Sequence, residues 1–581
     1  MTKYLDFKEA KCRDCYRCLR ECPVKAISII NHQARVIEER CILCGRCTIV
    51  CPQNAKQVHS ELPEIKKILA ENKEVIASVA PSFISSFGLS NFSIFRIALG
   101  KLGFSDAEET AVGANAVTKE YVKLMKTGKY ENFITSACPA IVRLIQEYHP
   151  SALKYLAPVD SPMLAHAKLL KKDYPNAKII FIGPCIAKKR EAAESGLVDG
   201  VLTYEDMQEL FTENNINLDE ITSMDMPRKA KYANKSKGYP ISHGIINSFE
   251  VLPKGYDYMA VDGAERCIDV LESIDNLSGV FIEMNICQDG CVNGPCSLVN
   301  SKAMKKNNDR GGSIEATMEV HRYVKNEIKS LPPEKLGAIK CNVDFARAYP
   351  RIKTNSVPGT ESQITAILHK TNKFKPEDEL NCGACGYNTC REKAWAVLNG
   401  YADVNVCFPY MRERAESMSY EIIHNSPQGL IVLDEDLNVI DINHRAKELL
   451  GIEVANMKNL PAVDFFNISE FLQANTLKKA LKKEKLFIQK TKKYVNLSIN
   501  LLQGDKVLFG IMNDVTDDVN YDDQLLTMKK ETLDTTDRVI KKQMRVAQEI
   551  ASLLGETTAE TKVALLKLKK TIQAEEGENK E

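Results

Sequence analysis

Glu283-Met284-Asn285-Ile286-Cys287-Gln288-Asp289-Gly290-Cys291-Val292-Asn293-Gly294 is the stretch on which the reading of this 581-residue chain turns. Its two cysteines sit among glycines, and Gly290 and Gly294 let the backbone approach something bulky. Two earlier segments have the same character, Thr135-Ser136-Ala137-Cys138-Pro139 and Gly183-Pro184-Cys185-Ile186-Ala187-Lys188. Around them, apolar strand-like runs such as Val75 to Ala80 and Lys178 to Gly183 alternate with helical stretches and Gly/Pro turns. That alternation, from about 59 to 355, predicts an α/β domain with a mostly parallel sheet. The cysteines fall at strand ends or turns, so four thiols from three separated segments converge as ligands for one cluster.

Composition sets the frame. The chain is too long for one domain, and 44% apolar residues are enough for real cores. A net charge of +1 gives no reason to expect nucleic acid or an anionic membrane as partner. No apolar run reaches the roughly 18 residues of a membrane span. The start, MTKYLDFKEA, lacks the basic-then-apolar layout of a secretory signal. A cytoplasmic location is the expectation. There, the clustered members of the nineteen cysteines read as metal ligands rather than disulfides.

Near the N-terminus Cys12, Cys15, Cys18 and Cys22 precede Pro23, and Cys41, Cys44, Cys47 and Cys51 precede Pro52. Each run is C-x2-C-x2-C-x3-C-P, which resembles bacterial two-cluster ferredoxins, where the fourth cysteine ligates the other cluster. The resemblance implies one [4Fe–4S] cluster on Cys12, Cys15, Cys18 and Cys51, and another on Cys41, Cys44, Cys47 and Cys22. Ala26 to Ile30 and Ala34 to Ile37 read as a short hairpin under them. The alternative is a pair of zinc sites, which rarely use two interlocked runs. Two such clusters form a wire, so another part of the chain must supply or consume electrons.

The three central cysteine segments resemble, in order and separation, the three signatures of the [FeFe]-hydrogenases. The resemblance implies that Cys138, Cys185, Cys287 and Cys291 hold a [4Fe–4S] cubane. Cys291 would bridge to a two-iron subcluster carrying carbonyl, cyanide and azadithiolate ligands, the whole being the H-cluster. Lys188 matches the family lysine that binds an iron cyanide, and Glu191 an acidic residue paired with it. Ala80, Pro81 and Ser82 match the A-P-S turn lining the other cyanide. The competing reading is a purely structural cluster, which needs neither Lys188 nor that turn.

The departures from the family matter as much. Its first signature usually reads T-S-C-C-P, and the first cysteine relays protons. Here that position is Ala137, which can neither donate nor accept. Counting from it, the other relay positions fall on Val117, Leu124 and Ala157, and only the outer acid survives, as Glu120. Gly183 and Asn285 replace methionines beside the cluster, which changes its surroundings and hence its potential. Acid–base transfer is typically worth about 10²–10⁴-fold, so turnover should fall by that order unless another route exists. Cys267, Glu265 and Glu283 are candidates for one, although Cys267, like Cys296 and Cys341, reads more simply as a buried thiol.

Farther on, Cys382, Cys385 and Cys390, with Cys407 after a helical stretch containing Trp395, resemble the small four-cysteine [4Fe–4S] domain of corrinoid iron–sulfur proteins. Zinc remains the alternative there. From about 420 the pattern helix, strand, turn, strand resembles PAS sensor domains, with Asn443 and Ala446 in the N-x-x-A position after the second strand. Strands are expected at Tyr494 to Leu501 and Val507 to Met512, then an acidic turn, Asn513-Asp514-Val515-Thr516-Asp517. An α/β domain that only dimerises is the competing reading. His424 is read as a surface or capping residue. Leu526, Leu533, Ile540, Ala547 and Leu554 recur every seven residues in the helical tail, and Val563, Leu566 and Leu568 resume after a break at Gly555. That implies a parallel dimer or a docking helix; the competing reading for its first two turns is an amphipathic helix packed on the PAS core.

The expected architecture is multidomain α/β and α+β. It comprises a two-[4Fe–4S] ferredoxin domain (1–58), an [FeFe]-hydrogenase H-cluster domain (59–355), a linker with the four-cysteine [4Fe–4S] domain (356–415), a PAS sensor domain (416–518) and a signalling coiled coil (519–581). The resemblance implies a sensory [FeFe]-hydrogenase that interconverts H2 with protons and electrons slowly and signals through its clusters and PAS domain. Expected partners are a redox protein such as ferredoxin, a separate serine/threonine phosphatase or kinase, and a second copy through the C-terminal helix. The rivals are a catalytic ferredoxin-linked hydrogenase and a non-enzymatic iron–sulfur signalling protein.

Overall fold

The computed structural model describes residues 4–30, 33–221, 235–300, 312–330, 342–354, 356–454, 457–502, 506–554 and 558–574. They form two compact units, 1–411 and 412–581. Cys341 lies outside the described residues. No described helix is long and apolar enough to cross a membrane.

In the first unit, strand β1 (Leu5–Phe7) opens the chain and the hairpin β2 (Ile27–Ile30) and β3 (Gln33–Val36) lies between the two cysteine runs, as expected. Strand β4 (Lys56–Val58) pairs back on β1 and closes the lobe. The runs repeat at the backbone level: Asp14 and Tyr16 in the first, and Leu43 and Gly45 in the second, all have positive φ. Those turns fold each loop around its thiols before the short helices Arg17–Arg20 and Arg46–Ile49 begin.

Seven further strands follow: β5 (Val75–Val79), β6 (Asp106–Glu109), β7 (Phe133–Ile134), β8 (Lys178–Ile182), β9 (Gly200–Leu202), β10 (Asp257–Asp262) and β11 (Val280–Asn285). They do not make the single sheet expected. They make two parallel ones, β6-β5-β8-β9 and β10-β11-β7. Their central strands are apolar runs buried on both faces, as covered parallel strands must be. The carboxyl ends of β5, β7, β8 and β11 lead into 80–82, 135–138, 183–185 and 286–291, two segments from each sheet. In open α/β sheets this is where ligands bind.

The second unit holds a five-stranded antiparallel sheet made of β12 (Gly429–Leu433), β13 (Val439–Ile442), β14 (Leu481–Ile488), β15 (Lys493–Leu502) and β16 (Val507–Asp514). Their order is β13-β12-β16-β15-β14. Asn443, fully buried, ties this unit together. Its side-chain oxygen accepts from the Ala446 and Leu430 amides at 2.9 and 2.8 Å, and its nitrogen donates to the Ile423 and Gln428 carbonyls. That accounts for the N-x-x-A spacing: Asn443 caps the His444–Leu450 helix. The tail is a helical hairpin rather than one interrupted rod. Helix Thr516–Leu554 is followed by Thr558–Ala574, and Lys569 pairs with Asp537 at 3.1 Å.

Candidate functional site

The four strand-end segments surround one cavity of about 100 Å³. Cys138, Cys185, Cys287 and Cys291 all line it, together with Ala80, Pro81 and Ser82. Cys138 stands at the start of the Pro139–Tyr148 helix, whose proline occupies the first helical position, so a helix N-terminus faces the thiols and favours negative charge there. Burial and the neighbouring thiols push Cys185 up to about 11 and Cys287 well above the ordinary thiol range. Left alone, Cys185, Cys287 and Cys291 would stay protonated near neutrality. They ionise as ligands only when positive charge is supplied between them, which is what an iron cluster brings.

Lys188 also lines the cavity, 8% exposed. Its ammonium donates to Glu191 at 2.7 Å and to the Ala137 carbonyl at 3.5 Å. Glu191 in turn faces a second cavity of about 280 Å³, so the pair spans the wall between the two. A paired cation at an otherwise apolar wall suits anionic ligands such as cyanide. The Ser82 hydroxyl is shared with Tyr204 at 2.8 Å, which fixes the turn from behind.

The positions counted as a lost proton road are apolar in fact as well as in sequence. Val117 and Ala157 are fully buried, and with Ala137 and Leu124 they belong to a single apolar cluster containing Tyr121, Phe133 and Phe281. Glu120 bonds to Lys123 at 2.5 Å. Of the three alternative candidates, Glu265 pairs with Arg46 and is largely exposed, away from the cavity. Cys267 is buried, its thiol directed at the Asn285 and Val261 carbonyls. Glu283 is different. It is fully buried in β11, accepts from the Ile245 and Ile246 amides at 3.0 Å each, and lies beside Asn285, which lines the cavity. Burial pushes its carboxyl up to about 7. Gly183 does not leave a gap: Phe181 fills the space, and a Cβ at 183 would meet its ring at 2.8 Å. Sequence reading missed Tyr204 because it opens a helix 122 residues from Ser82, and Phe181 because its ring folds back over Gly183 only once the turn after its strand has formed.

The other cysteines gather as well. In the ferredoxin lobe Cys41, Cys44 and Cys22 all bear on Cys47, whereas Cys51 and Cys15 bear on Cys18, which is the crosswise grouping. Lys56 donates to the Cys18 sulfur at 3.2 Å. Cys382, Cys385, Cys390 and Cys407 line a separate cavity of about 20 Å³, where Lys373 donates to the Cys407 sulfur at 3.5 Å. Among the described residues, no group of three or more His, Cys, Asp or Glu closes tightly enough for a single metal ion. Cys138, Cys185, Cys287 and Cys291, and separately Cys382, Cys385, Cys390 and Cys407, each stand around a cavity. Cys296 is buried and outside these groups.

Comparison with known families agrees with this layout. Residues 73–295 match the "Iron only hydrogenase large subunit, C-terminal domain", 11–55 a 4Fe–4S dicluster domain, 378–409 an Fe–S cluster family and 417–482 a PAS domain. The chain is thus an iron–sulfur protein with a hydrogenase-type domain and a PAS domain. Among characterised relatives, "Iron hydrogenase 1" of Clostridium pasteurianum is 24% identical over 384 residues, 52% of this chain and 67% of the relative. "Cytosolic Fe-S cluster assembly factor NAR1" of Yarrowia lipolytica is 23% identical over 263 residues, 40% of this chain and 53% of that one. The chain therefore spans about two thirds of the first relative and about half of the second. Among solved structures, the [FeFe]-hydrogenase HydA1 of Chlamydomonas reinhardtii aligns at 16% identity over 50% of this chain and 99% of that one, with a TM-score of 0.38.

Proposed function

We propose that this chain is a sensory hydrogenase. It binds an H-cluster through Cys138, Cys185, Cys287 and Cys291, turns over hydrogen slowly, and passes its redox state through the iron–sulfur clusters to the PAS unit. The observation that carries the reading is the buried Lys188–Glu191 pair on the wall of a four-cysteine cavity, a feature a purely structural cubane does not need. When bound, the diiron group supplies the making and breaking of the hydrogen–hydrogen bond. The residues of the chain do the rest: Lys188 holds the anionic ligands, and the Ala80-Pro81-Ser82 turn closes the far side. Ala137 and the apolar cluster behind it shut the usual proton exit, which favours registering hydrogen over processing it. Glu283, behind Asn285, is the group best placed to hold a proton near the cavity.

Within this reading the partners are hydrogen, a soluble redox protein such as ferredoxin, and a separate phosphatase or kinase that reads the PAS unit. A second copy would pair through the exposed stripe of the Thr516–Leu554 helix. Likeness to a cluster-assembly factor favours one other reading, a chain that binds clusters but no diiron group. Infrared spectroscopy of the chain matured with the diiron precursor decides between them. Carbonyl and cyanide bands are expected, and their absence overturns the hydrogenase reading. Hydrogen turnover on the same sample, expected to be low, then separates sensor from catalyst.

A further inference from the structure

Arg40 immediately precedes Cys41 and is 8% exposed, yet it belongs to three parts of the first unit at once. Its guanidinium lies 4.9 Å from the Trp395 ring centroid, 5.2 Å from Tyr401 and 5.7 Å from Tyr148, and it donates to the Val24 carbonyl at 3.2 Å. Tyr148, on the hydrogenase-type domain, donates to the Arg40 carbonyl, and Tyr401, on the four-cysteine module, donates to Glu39. The buried Nε of Arg40 has no hydrogen-bond partner among the described residues, so the aromatic rings are its compensation.

The contact continues beside the cysteines. Gly386, between Cys385 and Tyr387, has φ +93°, and a Cβ there would fall 2.6 Å from Leu19, which lies between Cys18 and Cys22. Tyr387, 3% exposed, lies near enough to Arg40 and Cys22 to feel the charge of both. On the opposite side, Gly45 is pressed against Pro295 and Ile186, and Cys44 acts on Cys287 of the catalytic cavity. One set of thiols, Cys22, Cys41, Cys44 and Cys47, thus borders both the cavity and the module.

We propose that this set is a junction through which electrons from the catalytic cavity reach the four-cysteine module directly, with Arg40 as the positioning residue that holds the module there. The set Cys12, Cys15, Cys18 and Cys51 is then a side branch. In each transfer one electron leaves the junction cluster, which is oxidised, and enters the module cluster, which is reduced; no bond changes and no proton moves. The proposal rests on the sensory reading for its electron source, but its test does not.

The test uses the full chain with its iron–sulfur clusters reconstituted, fully reduced by dithionite, and read by low-temperature electron paramagnetic resonance. The module signal is assigned by its loss in Cys385→Ser. Magnetic broadening of the module signal by a neighbouring reduced cluster is expected to survive Cys15→Ser and to be lost in Cys44→Ser. Broadening lost in Cys15→Ser, or unchanged in Cys44→Ser, overturns the junction. Magnetic interaction between module and junction is expected to be lost in Arg40→Met and partly kept in Arg40→Lys, at full iron content. An unchanged interaction in Arg40→Met overturns the positioning role. Should Arg40→Met shed iron, Trp395→Leu replaces it from the module side: loss of the interaction supports the positioning role, and an unchanged interaction overturns it. Dithionite needs no hydrogen chemistry, so missing infrared bands would sink the sensory reading and leave this result standing.

Discussion

Glu283 is a buried acid in an apolar strand, and its position has consequences for both stability and proton handling. Its carboxyl is raised from 4.5 to about 7, so the folded chain keeps a proton that the unfolded chain releases. Stability therefore falls as pH climbs from about 4.5 to about 7 and stays lower above that, by up to about 3 kcal/mol. Glu283→Gln should flatten that part of a denaturation-versus-pH profile. If the residue also holds the working proton, the variant should slow turnover further. Ala137→Cys alone should restore little, because Val117 and Ala157 behind it offer no acceptor, and a hydrogen-evolution assay will show it. Lys188→Met leaves Glu191 buried without its cation; chemical denaturation should find a loss of about 3 kcal/mol, and infrared spectra a weakened or absent diiron signal.

At the scale of elements, Asn443 joins one helix to two strand ends. Asn443→Ala removes a cap and leaves buried backbone groups unpaired, at a cost of about 1–3 kcal/mol. The expected result is a lower-melting transition confined to residues 412–581, with the iron–sulfur absorption of the first unit unchanged. Burial works against the charge on Asp514, but Thr516 and Lys493 outweigh it and hold the carboxyl down to about 2. Its contribution is present above the ordinary carboxylate value and is lost as pH falls toward 2, so the start of the Thr516–Leu554 helix should loosen only in strong acid. The hairpin of the ferredoxin lobe and the Asn443 turn were legible because local spacing encodes them. The partition into two sheets was not, since parallel neighbours are chosen by distant contacts. Strand β14 also escaped notice: Lys482, Lys483 and Lys485 stand on an edge strand that is mostly exposed, so it shows no apolar alternation. Arg40 and Tyr387 were invisible for a related reason, their partners lying hundreds of residues away or in another module.

For the molecule as a whole, the thiol groups and the turn at 80–82 were legible because each ligand set carries its spacing or its flanking glycine and proline. What surrounds them was not. The two parallel sheets each contribute two strand ends to the four-cysteine cavity, and neither sheet alone contains more than part of the thiol set. A cluster bound there acts as a rivet between two plates. It should raise the melting temperature of the first unit, because anything that binds only the assembled form stabilises it by mass action. Heat resistance thereby becomes a gauge of loading: a calorimetric trace, taken before any gas is measured, should show how much of a preparation has received its iron.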